Sequence, residues 1–252
     1  MKLHFFHRVV TVAVCCATAW MAPLSAWDAE DCFWELPPEQ VQQVNDPAFV
    51  ELKDKMREAV KGSWCSEEKL NLLMDTVLIQ KPSVCVEVGA FMGSSVLPVA
   101  ATLQYLHHGR VFAVDGWSND LAVRYLDKED PNRPWWGSLP MDSIEAHFYH
   151  LINHYGVTDQ VAVIKADSVE AANLFEQIDF LHLDGDYSAT GSSADVDAYL
   201  PHVRSGGLVL LSNVYVMVNG KQPKLKAVQR LMKYCDILSS IERDHAILFV
   251  KR

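Results

Sequence analysis

The sequence predicts an α/β protein: a doubly wound, mostly parallel sheet with a closing hairpin, preceded by an N-terminal helical extension. Three observations predict it. Short valine-rich runs alternate with segments of helical spacing between residues 84 and 213, the pattern of parallel strands covered by helices on both faces. Those runs end in glycine or in acids: "VEVG", "AVDG", "KADS" and "LDGD". The chain then closes on two strand-like runs, "DILSSIER" and "HAILFVKR", joined at Arg243 and Asp244. The last strand of such a hairpin must run antiparallel to its partner.

Residues 1–26 read as an export signal. Lys2 and Arg8 supply a basic start, an uncharged run follows, and Ser25 and Ala26 are small residues suited to cleavage. The apolar run from Val9 to Ala22 falls short of the roughly 20 residues of a membrane span. A functioning signal implies an exported protein, and its absence a cytoplasmic one. An uncleaved segment is the one route to a membrane. Residues 27–47, rich in Trp, Pro, Asp and Glu, read as an irregular arm. With a helix over 48–61, they form an extension up to residue 65.

Residues 66–80 have helical spacing, with Ser66 as cap and acids in the first turn. "SVCVEVG" reads as the first strand, and "SSVLPVAATLQYLHH" as a helix with Pro98 in its first turns, where proline is tolerated. "GRVFAVDG", "QVAVIKADS", "IDFLHLDGD" and "GGLVLLSNV" follow as strands two to five. Helices are expected over 141–155, 168–177, 191–203 and 222–234.

Of the 252 residues, 50% are hydrophobic and 21% charged, enough apolar material for a substantial core. The net charge is −10 with no Lys/Arg cluster, which argues against a nucleic-acid partner and for a small molecule. Oligomeric state, a homodimer included, is left open. Of six cysteines, Cys15 and Cys16 would leave with the signal. None of the others has metal-ligand spacing. A Cys32–Cys65 pair stays open in an oxidising compartment, and Cys85 reads as a buried thiol.

In open α/β sheets, ligands bind beyond the carboxyl ends of the strands, where strand order reverses. "VEVGAFMGSS" puts Glu87, Gly89, Gly93 and Ser94 there. Its E-x-G-x-x-x-G spacing is neither the dinucleotide fingerprint nor a phosphate loop. Asp115 ends strand two, the place for an acid that accepts from both hydroxyls of a ribose. Asp167 and Ser168 end strand three, and Asp184 ends strand four.

These motifs, with "FLHLDGDYSATGSSADVDAYLPHVRSGGLVLLSNV", resemble the class I S-adenosylmethionine-dependent methyltransferases, in the branch of small-molecule O-methyltransferases of macrocin and catechol type. The resemblance covers residues 66–252. It implies a Rossmann-like sheet of seven strands with the last reversed. It implies S-adenosylmethionine as cofactor, with Gly89, Gly93 and Ser94 near its methionine part and Glu87 shaping that loop. Asp115 would take the ribose, Asp167 and Ser168 flank the adenine, and Asp184 lie beneath the transferred methyl.

In metal-dependent members of that group the strand-four acid binds Mg²⁺, helped by acids or an Asn after strand five. Here Asn213 matches, but Ser212 replaces the usual aspartate, and Tyr187 stands where relatives carry a histidine. A tyrosine with a pKa near about 10 is a poor base. Three routes stay open: Asp184 or Asp186 as base, a weak Mg²⁺ site on Asp184, Asn213 and water, or binding without transfer by an exported, non-catalytic protein. Asp186 also suits a turn cap. The long connection "GWSNDLAVRYLDKEDPNRPWWGSLPMDS" reads as a lid or substrate wall. Trp117, Trp135 and Trp136 there, with Tyr187, are candidates to contact the acceptor. His147, His150 and His154 share a helix face without a carboxylate, which argues against zinc.

Overall fold

The computed structural model describes residues 36–252. The export-signal reading and Cys32 lie outside the described residues. The strands are β1 (Val84–Val88), β2 (Arg110–Asp115), β3 (Val161–Lys165), β4 (Ile178–Leu183), β5 (Val203–Leu211), β6 (Cys235–Ile241) and β7 (Ala246–Lys251). They form one seven-stranded sheet in the order β3-β2-β1-β4-β5-β7-β6. β7 runs antiparallel to both of its neighbours, β5 and β6. The other pairs are parallel. The doubly wound sheet with a reversed last strand is therefore present.

The helices are α1 (Pro38–Val44), α2 (Pro47–Ala59), α3 (Glu67–Gln80), α4 (Val96–Leu106), α5 (Asn119–Val123), α6 (Arg133–Trp136), α7 (Met141–His154), α8 (Ser168–Ala171), α9 (Ala189–Tyr199) and α10 (Leu225–Met232). Alternate strand residues feed opposite layers. Cys85, Phe180 and Leu210 face a core with Leu73, Leu97 and Phe148 from α3, α4 and α7. Val86, Leu181 and Val209 face a second core with Val196, Tyr199 and Leu231 from α9 and α10. Burial on both faces is why these strands read as continuous apolar runs.

Several boundaries differ from expectation. The arm over 27–47 contains α1, because Pro38 stands at a helix start, where a missing N–H is harmless. The helix expected over 168–177 stops at Ala171 and passes through a 3₁₀ turn at Ala172–Leu174. Phe175 then turns inward and meets Phe112 edge-on at 5.3 Å. The helix expected over 191–203 begins at Ala189, where the Ser188 hydroxyl caps Gly191 N–H, and gives way at Leu200 to a 3₁₀ turn containing Pro201. β5 starts at Val203 rather than Gly206.

β1 and β4 are neighbours, with β2 and β3 on one side and β5 on the other. Strand order reverses between them, so their carboxyl ends leave a crevice.

Candidate active site

A cavity of about 660 Å³ opens in that crevice, and its lining includes Gly89, Ser94, Asp115, Asp167, Ser168 and Asp184. Six of the eight residues expected around a cofactor thus share one cavity. Glu87 and Gly93 do not line it.

The β1 tip depends on Gly89. Its φ is +88°, and a Cβ there would lie 2.6 Å from Gly185 Cα, so only glycine lets the two strand tips touch. Beyond it, Phe91 N–H donates to Asp115 Oδ2 at 2.9 Å, and Trp117 N–H donates to Oδ1 at 2.7 Å. Asp115 thereby ties the loops after β1 and β2 together, and each carboxylate oxygen retains accepting capacity toward the cavity. Burial pushes its carboxyl above the ordinary range, against the pull of these two N–H donors.

Gly93 serves packing instead: at φ +86°, a Cβ would lie 2.9 Å from the Phe148 ring of α7. Glu87 is 2% exposed beneath the loop. Its Oε1 accepts from Ser95 Oγ at 2.5 Å. Its Oε2 lies 3.2 Å from His182 Nδ1, out of line for a hydrogen bond. Across the sheet, His182 Nε2 meets Ser212 Oγ at 3.0 Å. Ser212, standing where an aspartate was expected, completes a buried polar row under the cavity floor.

At the β3 tip, Asp167 caps α8 through Val169 and Glu170 N–H and pairs with Arg124 at 2.5 Å. Ser168 Oγ donates to Asp195 Oδ1 at 2.5 Å. Burial pushes the Asp195 carboxyl up to about 6. The folded state therefore holds this proton more tightly than the unfolded chain, and stability falls as pH rises from about 4 through about 6. Asp195→Asn, which keeps an acceptor for Ser168, should stabilise the protein at pH 8 by on the order of 2 kcal/mol. The gain should vanish at pH 4. Melting curves of both proteins across that range check this; an equal gain at both ends contradicts it.

The surroundings of Asp184 do not support the Mg²⁺ route that the sequence left open. Its Oδ2 is ion-paired with Lys69 Nζ at 2.6 Å, and its Oδ1 accepts from Asn213 Nδ2 at 2.7 Å. Asn213 turns a donor, not a ligand oxygen, toward the site. A hard cation requires several oxygens, and here an ammonium already holds the one carboxylate. The residues do not fit Mg²⁺, and no cluster of three or more His, Cys, Asp or Glu suited to a metal occurs among the described residues. Burial would raise the Asp184 carboxyl, but Lys69, His182 and Lys224 outweigh it and hold it below the ordinary range.

Asp186 accepts from Ser188 N–H at 2.6 Å, the turn-capping geometry, and also lines the cavity. Tyr187 O–H donates to Asp130 at 2.9 Å, and burial and that carboxylate push its pKa up. Trp117 is 4% exposed, with its indole N–H on Phe91 O and its ring 5.3 Å from Phe148. It braces the loop. Trp135 and Trp136 stand at the mouth with a residue the sequence did not single out, Trp64. Trp64 stacks on Phe91 at 5.2 Å and lies 5.9 and 6.3 Å from Trp135 and Trp136.

Lys69 and His182 were also missed. Lys69 sits at the start of α3, 115 residues from its partner. His182 could have been found: it is a polar residue in an apolar strand, in register with Glu87.

A family model described as "Methyltransferase domain" matches residues 86–214, just over half of the chain. Among solved structures, the methyltransferase PaMTH1 of Podospora anserina, bound to S-adenosylhomocysteine, is 17% identical, with a TM-score of 0.52 over 86% of this chain and 98% of that one. The O-methyltransferase TomG of Streptomyces achromogenes, in complex with S-adenosylmethionine, is 15% identical, with a TM-score of 0.55 over 82% and 91%. Cofactor-bound Rv0187 from MTB is 13% identical, with a TM-score of 0.57 over 86% and 99%. At these identities the likeness is one of fold. No curated protein matches the sequence.

Proposed function

Because the chain belongs to the methyltransferase-domain family, we propose that it transfers a methyl group from S-adenosylmethionine to a hydroxyl of a small molecule. The observation that carries this reading is the convergence of Gly89, Asp115, Asp167 and Asp184 on one cavity at the β1/β4 reversal. The cavity has the size of a cofactor site, and a Cβ at Gly89 would push apart the two strand tips that border it.

Asp115 would accept from the ribose hydroxyls with the lone pairs its backbone donors leave free. Gly89, Ala90 and Ser94 would border the methionine part, and Asp167 with Ser168 the adenine. When bound, S-adenosylmethionine supplies an electrophilic methyl on a sulfonium. The residues of this chain then chiefly align an acceptor with it. Trp64, Trp135 and Trp136 offer flat apolar faces for that acceptor at the mouth. The non-catalytic alternative gains no support from the site.

Incubation with methyl-tritiated S-adenosylmethionine and a panel of phenolic and sugar alcohols tests the reading. Label should pass to at least one acceptor and be blocked by S-adenosylhomocysteine. Cofactor binding with no transfer to any acceptor would return the non-catalytic alternative.

A further inference from the structure

Lys69 is 3% exposed, yet it lines the cavity. Its Nζ makes one hydrogen bond among the described residues, to Asp184. An ammonium has three donors, so two have no acceptor among the described residues. An ammonium with unused donors on a ligand cavity can donate to an oxygen of a bound ligand.

The position is held firmly. Ser66 Oγ accepts from Lys69 N–H at 3.1 Å as the cap of α3. Asp244, in the β6–β7 turn, accepts from Ser66 N–H at 3.1 Å and from the Ser66 hydroxyl. Asn213 fixes the other oxygen of Asp184. Cap, hairpin turn and β5 end therefore set the ammonium on the carboxylate.

We propose that the Lys69 ammonium takes the place of a divalent cation: it binds the acceptor oxygen as an oxyanion on the cavity floor, and methyl transfer proceeds without metal. The proposal rests on the methyl-transfer reading above. The acceptor proton passes to solvent as the oxyanion settles on Lys69. The oxyanion then attacks the sulfonium methyl. An O–C bond forms, the C–S bond breaks, and its electron pair stays on sulfur as a neutral thioether. No protein base is required: Asp184 is held ionised in its pair with Lys69, Asp186 caps the turn at Ser188, and Tyr187 is tied to Asp130. The acceptor must then carry an acidic hydroxyl, of phenol type rather than of sugar type.

The test uses 4-nitrophenol as probe, the full chain saturated with S-adenosylhomocysteine, and the phenolate absorbance read against pH. Calorimetry of S-adenosylhomocysteine is run in parallel on every variant. With the wild-type protein, the ionisation constant of bound 4-nitrophenol should rise about tenfold over its value in water, as an opposite charge at contact distance produces. EDTA and added Mg²⁺ should leave that rise unchanged. Lys69→Met should abolish it, and Lys69→Arg should restore part of it. Lys69→Met leaves Asp184 unpaired and can unfold. The double variant Lys69→Met/Asp184→Asn removes both charges together, should melt near wild type, and should show no rise. The proposal is overturned if nitrophenol ionises on the wild type as it does in water, if a folded Lys69→Met variant behaves like wild type, or if Mg²⁺ strengthens the effect. A rise that survives while S-adenosylhomocysteine fails to bind upholds the anion site and overturns the methyl-transfer reading instead.

Discussion

Gly89→Ala should be among the most damaging single methyl additions to this protein. Two penalties coincide there. The φ of +88° is poorly tolerated by any residue with a Cβ. The new Cβ would also meet backbone, with Gly185 Cα at 2.6 Å, Gly185 N at 2.7 Å and Asp184 C at 2.8 Å. Backbone cannot rotate away as a side chain can, so the β1 and β4 tips must part, at the point where Asp184 N–H donates to Val88 O. Strain and overpacking together are worth about 3–5 kcal/mol, a fall in Tm of roughly 10 °C for a domain of this size. Cofactor binding should be lost with it. Gly156→Ala is the control: its φ is +67°, but nothing lies within 4 Å of a Cβ. It should lose only about 1 kcal/mol. Equal losses at the two positions would show that the contact between strand tips is not what Gly89 protects.

Asp115→Ala should weaken S-adenosylhomocysteine binding by about a hundredfold, because hydrogen bonds to a charged group are worth about 1.5–3 kcal/mol each. Part of that loss is indirect, since Asp115 also holds Phe91 and Trp117 N–H. A ligand lacking the ribose 2′-hydroxyl separates the two contributions. It should bind the wild-type protein about tenfold more weakly than the parent ligand, yet bind Asp115→Ala no worse than the parent ligand does. If the modified ligand loses equally on both proteins, Asp115 shapes the loop and does not contact the ribose.

The sheet was legible because its signals are local. β1, β2 and β4 are short, largely apolar runs, and the Arg243–Asp244 junction marked the hairpin. The acids at the strand tips were legible for the same reason: Asp115, Asp167 and Asp184 each lie at or just beyond the end of a valine- or leucine-rich run. What lay outside local reading were residues whose partners are distant in sequence. Lys69 resembles any solvated lysine in the first turn of a helix until Asp184 is brought to 2.6 Å. Trp64 acquires meaning only when Phe91 stacks beneath it. The Mg²⁺ route left open by the sequence finds no support on that account: Asn213 and Asp184 are neighbours, but the positive charge between α3 and β4 is the Lys69 ammonium. The family resemblance put Gly93 near the cofactor, while the structure packs it against the ring of Phe148.

Calorimetric titration of the full chain with S-adenosylhomocysteine, in EDTA and again with Mg²⁺, tests the central claim most directly. Micromolar binding, the same in both buffers and lost in Asp115→Ala, is the predicted result. No binding in either buffer, or binding indifferent to Asp115, would contradict the assignment of this cavity to the methyl donor.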